Sequence, residues 1–285
     1  MDLKILQDIP PWAWPRGIGN EFLMVLRNPH AAAADRLLAA QFAGDLVVLD
    51  GFLAHTLLAI VSDAAEPEKL RARAAVSLGP VLEQAERREF DDPALPVRED
   101  IFRKIEQSLR EVYLDTAVPK LVRRRILEAA VRSRKEWHAG AILTAYASDD
   151  AEWKLTAVYC MRYIRGFDRQ ILEALESADP KIHYEAVCAA GEWELDAAWP
   201  HLAALVTAAG ASKHLRLAAI EAVSTIRPRE TAALLADLAD SDDKEIAEAA
   251  GEAMSLAEGP WRDEFEDEFE DGDDEPRGGR RETIH

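Results

Sequence analysis

With 285 residues, 48% of them apolar and only 7% aromatic, the chain is long enough for a continuous core but poor in the residues that favour sheets. Its net charge of −19 argues against non-specific nucleic-acid binding, which needs a basic surface to displace counterions. Two cysteines, Cys160 and Cys188, are too few for a disulfide framework, and the N-terminus lacks a basic stretch followed by an apolar one and a cleavage site, so a reducing cytoplasm is expected.

The first segment, "DIPPWAWPRGIG" at 8–19, sets Trp12 and Trp14 among prolines and predicts an extended backbone. An end of a repeat array exposes core, so these rings are expected to cap it, with a partner-binding segment as the alternative. "DRLLAAQFAG" at 35–44 then offers a weak first repeat through Arg36, Ala39 and Gly44. The apolar run 46–61 is interrupted by Asp50 and His55 and is short for a bilayer, so it predicts a buried helix and no membrane.

From there a repeat dominates. Pro67, Pro119, Asp150, Asp179, Ser212 and Asp243 align six segments at intervals of 52, 31, 29, 33 and 31 residues. Three positions on, every copy is apolar, from Leu70 to Ile246. Seven positions on stand Ala74, Ile126, Ala157, Ala186, Ala219 and Ala250. Offsets of three, seven and eleven share one face of a helix, so each copy is an amphipathic helix entered through a proline or a capping side chain. Apolar stretches at 168–177, 197–209 and 230–240 predict a second helix per copy. Small residues in the seventh column let neighbouring hairpins approach closely and share one core. The long first interval contains "RREFDDPALPVRED", 87–100, expected to be a protruding loop insertion.

The run "HYEAVCAAGEWE" at 183–194 collects a histidine, a cysteine, two types of acid-base group and an indole. Its repeat positions predict a structural role: His183 belongs to a basic column four after the anchor, and Trp193 to a core column fourteen after it. The basic column, Arg36, Arg71, Arg123, Lys154, His183 and Arg216, reads either as a phosphate-binding stripe or as a ladder to the acidic caps Asp149, Asp150, Asp179, Asp242 and Asp243. Arg123, Arg124 and Arg125 form the one locally basic spot and a candidate interaction surface. No spacing suits zinc, and no cofactor is expected. Beyond 257 the chain turns strongly acidic, with Trp261, Phe265 and Phe269 every four residues. That pattern predicts a tail, 258–285, that is either solubilising or a linear motif folding on a partner.

The copy "LRARAAVSLG", 70–79, resembles the HEAT-like repeats of phycobilin-lyase-type proteins over roughly residues 30–257. The resemblance implies an all-α chain, an α-solenoid of about seven stacked helical hairpins with a cap at 1–30, and it favours the ladder. HEAT-like deoxyhypusine hydroxylases use paired His-Glu dipeptides, and this chain contains none. The function expected is a non-catalytic protein-protein interaction scaffold or adaptor whose partners are proteins; the alternative is a lyase-like protein handling a bilin or another small ligand.

Overall fold

The computed structural model describes residues 2–46, 49–87, 98–208 and 210–257. Among them there are helices and turns and no strand. The chain divides into two compact units, Met1–Trp193 and Glu194–His285, and the fold of each is all-α, of the α-solenoid class.

The first unit opens with 3-10 turns at Leu3–Asp8 and Pro11–Ala13. The proline segment is extended at Ile9, Pro10 and Trp14, which each precede a proline, and turns between them because Pro11 fills the first helical position, where its missing N–H costs nothing. Trp14 caps the core as expected. It is 9% exposed, packs edge-on against Phe22 and Phe42, and donates its indole N–H to the Ile9 carbonyl at 2.8 Å. Trp12 does not cap; its ring is 80% exposed.

Five hairpins follow. They pair α1 (Ile18–Arg27) with α2 (Ala33–Asp45), and α3 (Gly51–Ser62) with α4 (Glu68–Ser77). After a short α5 (Gly79–Arg87) come α6 (Glu99–Leu114) with α7 (Lys120–Ala130), α8 (Glu136–Tyr146) with α9 (Ala151–Met161), and α10 (Asp168–Leu175) with α11 (Pro180–Glu192). The second helix of each hairpin packs on that of the next, α2 on α4, α4 on α7, α7 on α9 and α9 on α11. The second unit holds α12 (Trp199–Thr207) with α13 (Lys213–Ile226) and α14 (Pro228–Ala239) with α15 (Lys244–Ala257), α13 packing on α15.

All six anchor residues precede the helices they were expected to start. Asp150 accepts from the Glu152 N–H at 2.9 Å, Asp179 from Lys181 at 2.8 Å, and Asp243 from Glu245 at 3.1 Å, which satisfies first-turn donors that have no intrahelical partner. The six residues of the seventh column are fully buried. Gly44 shows how close the helices come: a Cβ there would meet Ser77 Cα at 2.9 Å, and Ser77 Oγ donates to the Ala40 carbonyl at 2.6 Å. The insertion lies mostly outside the described residues, apart from Arg87 at the end of α5 and Arg98 to Asp100 at the start of α6.

An arginine-tyrosine cleft as candidate functional site

Helix C-termini carry partial negative charge and unpaired carbonyls, so cationic side chains are favoured there. In the first unit the ends of α7, α9 and α11 lie side by side, and the first two carry such residues. Val131 ends α7 and Arg132 follows it, Arg162 ends α9 and Tyr163 follows it, and α5 faces them with Glu83 and Glu86. Together they wall a cleft of about 500 Å³, closed on the α11 side by Glu192.

Arg132 organises one wall. Its Nη1 lies 2.9 Å from Glu83, its Nη2 donates to the Tyr159 hydroxyl at 3.1 Å, and its guanidinium sits 5.2 Å from the Tyr163 ring centre. Room for it comes from Gly79, where a Cβ would stand 2.9 Å from Arg132 Cδ. The hydroxyls of Tyr159 and Tyr163 are 3.2 Å apart. The Tyr159 oxygen accepts from Arg132, and it has a second lone pair with which to accept from Tyr163. Burial, then the hydrogen bond to Tyr159, push the Tyr163 phenol far up, so it remains a donor and never a base near neutrality.

The opposite wall is looser. Arg162 Nη1 is 3.5 Å from Glu185, a long contact, and its buried Nε has no acceptor among the described residues. Burial works to lower the Arg162 pKa, but Cys188, Glu185 and the two tyrosines together raise it, so the guanidinium keeps its charge. Arg134 is exposed and makes no ion pair among the described residues. It also borders a second, more open hollow of about 870 Å³ that includes Arg110, Lys135 and Trp137.

Most of these residues fall outside the repeat columns that carry the core. One signal was present: the column nine after the anchor, Val76, Glu128, Tyr159, Cys188, Glu221 and Glu252, is chemically mixed where core columns are uniform. The run "YCMRY", 159–163, also sets two tyrosines four apart beside an arginine.

The basic column serves another purpose. Arg36 donates to the Leu26 carbonyl at 3.0 Å and to Glu66 at 2.7 Å; Arg71 donates to Val61 at 2.9 Å, Arg123 to Tyr113 at 2.8 Å, and Arg216 to Ala208. Each ties down the end of the preceding helix. This corrects both earlier readings, since a guanidinium directed at a backbone carbonyl is neither a stripe nor a rung to an aspartate. Lys154 sits over the Tyr146 ring at 4.9 Å, and His183 is half-buried. Rungs to the caps are made instead by first-turn lysines, Lys120 to Asp150 at 2.8 Å and Lys213 to Asp243 at 2.8 Å.

The three-arginine run is not an open basic surface. Arg123 lies between the rings of Tyr113 and Trp153, Arg124 is 3% exposed and donates to Thr156 Oγ1 at 2.9 Å, and Arg125 pairs with Glu128. Trp193 is half-buried rather than core: its N–H donates to the Met161 carbonyl at 2.6 Å while Arg165 covers its ring at 4.8 Å. The 183–194 run thus contributes Glu192 to the cleft and Glu185 as a distant partner of Arg162. Trp261, Phe265 and Phe269 lie outside the described residues. Among the described residues no cluster of His, Cys, Asp or Glu could hold a metal, and no helix is long and apolar enough to cross a membrane.

No family model matches the chain, and no curated protein matches it. Among solved structures it is similar to human deoxyhypusine hydroxylase in complex with glycerol, at 16% identity and a TM-score of 0.38, over 85% of this chain and 96% of that one. The expectation that the chain is not an enzyme is corrected here: the structure it aligns with is that of an enzyme, so stacked helical hairpins give no ground for excluding catalysis.

Proposed function

We propose that this chain is a protein-interaction module, a scaffold or adaptor, that lodges a segment of a partner protein along the cleft of its first unit and the adjoining hollow, which shares Arg134 and includes Arg110. The observation that carries this reading is a hollow between helix ends whose walls hold unused hydrogen-bond donors, on hairpins that bury their apolar faces against one another. Small-ligand sites are largely apolar. The charged walls here favour a polypeptide over the bilin-sized ligand of the alternative that the resemblance to phycobilin-lyase-type repeats suggested. The binding role is independent of whether the chain also turns over a substrate. At −19 the partner is proposed to be protein rather than nucleic acid, and two cysteines outside any disulfide suit the reducing cytoplasm expected from the sequence.

The test is capture from lysate with the full chain and with an Arg110→Glu/Arg134→Glu variant. Both residues are exposed and make no ion pair among the described residues, so the fold is expected to persist. Loss of a specific partner in the variant, with unchanged melting, supports the reading. The same partners retained by the variant, or none captured by either, would overturn it.

A further inference from the structure

The cleft's donors are unequally engaged. Arg132 is spent on Glu83 and Tyr159, and Glu86 lies 3.4 Å from Ser133 Oγ. Two cationic groups lining the same cleft are left over: the Arg134 guanidinium, which makes no ion pair among the described residues, and the loosely held Arg162, whose buried Nε has no acceptor among them. Both guanidiniums keep donor capacity that the described residues do not use. Arginine presents a planar fork that matches the two oxygens of a carboxylate or the face of a phosphate. Of the acids lining the cleft, Glu86 and Glu192 are exposed, where water screens them.

We propose that Arg134 and Arg162, with the Tyr163 ring beside them in the cleft wall, form an oxyanion-binding subsite that takes one carboxylate or phosphate group from an acidic segment of a partner protein. This deepens the interaction reading and rests on it. Arg132, anchored by Glu83 and Tyr159, packs over the Tyr163 ring and holds the wall on which that ring stands. An acidic side chain and a phosphorylated one offer the same chemistry, so the probes must separate them.

The experiment follows the tyrosine ring carbons of the full-length, 13C-tyrosine-labelled protein by NMR, with Tyr163 assigned through Tyr163→Phe. Inorganic phosphate and acetate are titrated in at constant ionic strength. Saturable movement of the Tyr163 resonance, weakened about tenfold or more in Arg134→Gln, is expected from the loss of one charge-assisted bond. Capped peptides carrying a glutamate or a phosphoserine are then tested as competitors; displacement by either supports the subsite, and the stronger one identifies the source. An unmoved Tyr163 with both anions, equal movement in Arg134→Gln, or competition by neither peptide would overturn it. A partner that is captured by the wild type and lost in the double variant, with Tyr163 unmoved, overturns the subsite while leaving the interaction reading standing.

Discussion

Arg71→Met separates a structural role for the basic column from a ligand-binding one. Arg71 is 4% exposed, and its Nε donates to the carbonyl of Val61, itself fully buried at the end of α3. Methionine keeps most of the stem's packing and removes the donor. An orphaned buried carbonyl costs about 1–3 kcal/mol, and a lost cation at a helix C-terminus costs up to about 1 kcal/mol more. Relief from burying a charge offsets part of this, so a net loss of about 2 kcal/mol is expected. Because two units need not unfold together, a single melt is a blunt reading, and hydrogen exchange at the buried amides of α3 reports the region directly. A loss of about 2 kcal/mol corresponds to roughly 30-fold faster exchange there. Lys154→Met, which removes only a cation over a ring, should cost less than about 1 kcal/mol. Unchanged exchange in Arg71→Met, or equal losses in both variants, would refute the assignment of this column to helix ends.

Burial, then the charge of Lys135, lower the His138 pKa to about 4. A histidine depressed on folding contributes stability that is present above its unfolded value near 6.5 and lost as pH falls toward 4, here about 3 kcal/mol. His138 also accepts the Lys135 N–H at 3.1 Å, so His138→Gln should keep the cap and flatten the melting profile between pH 6.5 and 4; a profile as steep as wild type would contradict this. Gly44→Ala should destabilise by about 1–3 kcal/mol despite alanine's better helix propensity, because its Cβ would meet the backbone of Ser77; a more stable variant in thermal melts would show that α2 and α4 are not so close. Trp193→Phe should cost about 1–2 kcal/mol by orphaning the Met161 carbonyl, and Trp193→Ala about 3 kcal/mol, with denaturant melts as the check and neutrality as the disproof.

The helices were legible because their signals are local and periodic. A capping side chain, an apolar residue at the third position and a small one at the seventh recur with one fixed geometry, and hairpin packing follows from them. Where side chains point at helix ends was not legible. Arg71 and Arg124 are both basic residues on second helices, yet one reaches back to the preceding helix and the other across to Thr156 on α9, and neither partner is near in sequence. Trp193 was assigned to core by its column, but its helix ends there, so one side of the ring stays open to Arg165. The cleft was hidden for the same reason: Arg132, Tyr163 and Glu83 come from three helix ends brought together only by stacking.

The most direct test of the cleft as a binding surface is hydrogen exchange of the full chain, alone and with a captured partner. Protection concentrated at residues 131–136 and 159–165, and absent with the Arg110→Glu/Arg134→Glu variant, is the predicted result. Protection confined to other segments, with these two exchanging as in the free chain, would contradict it.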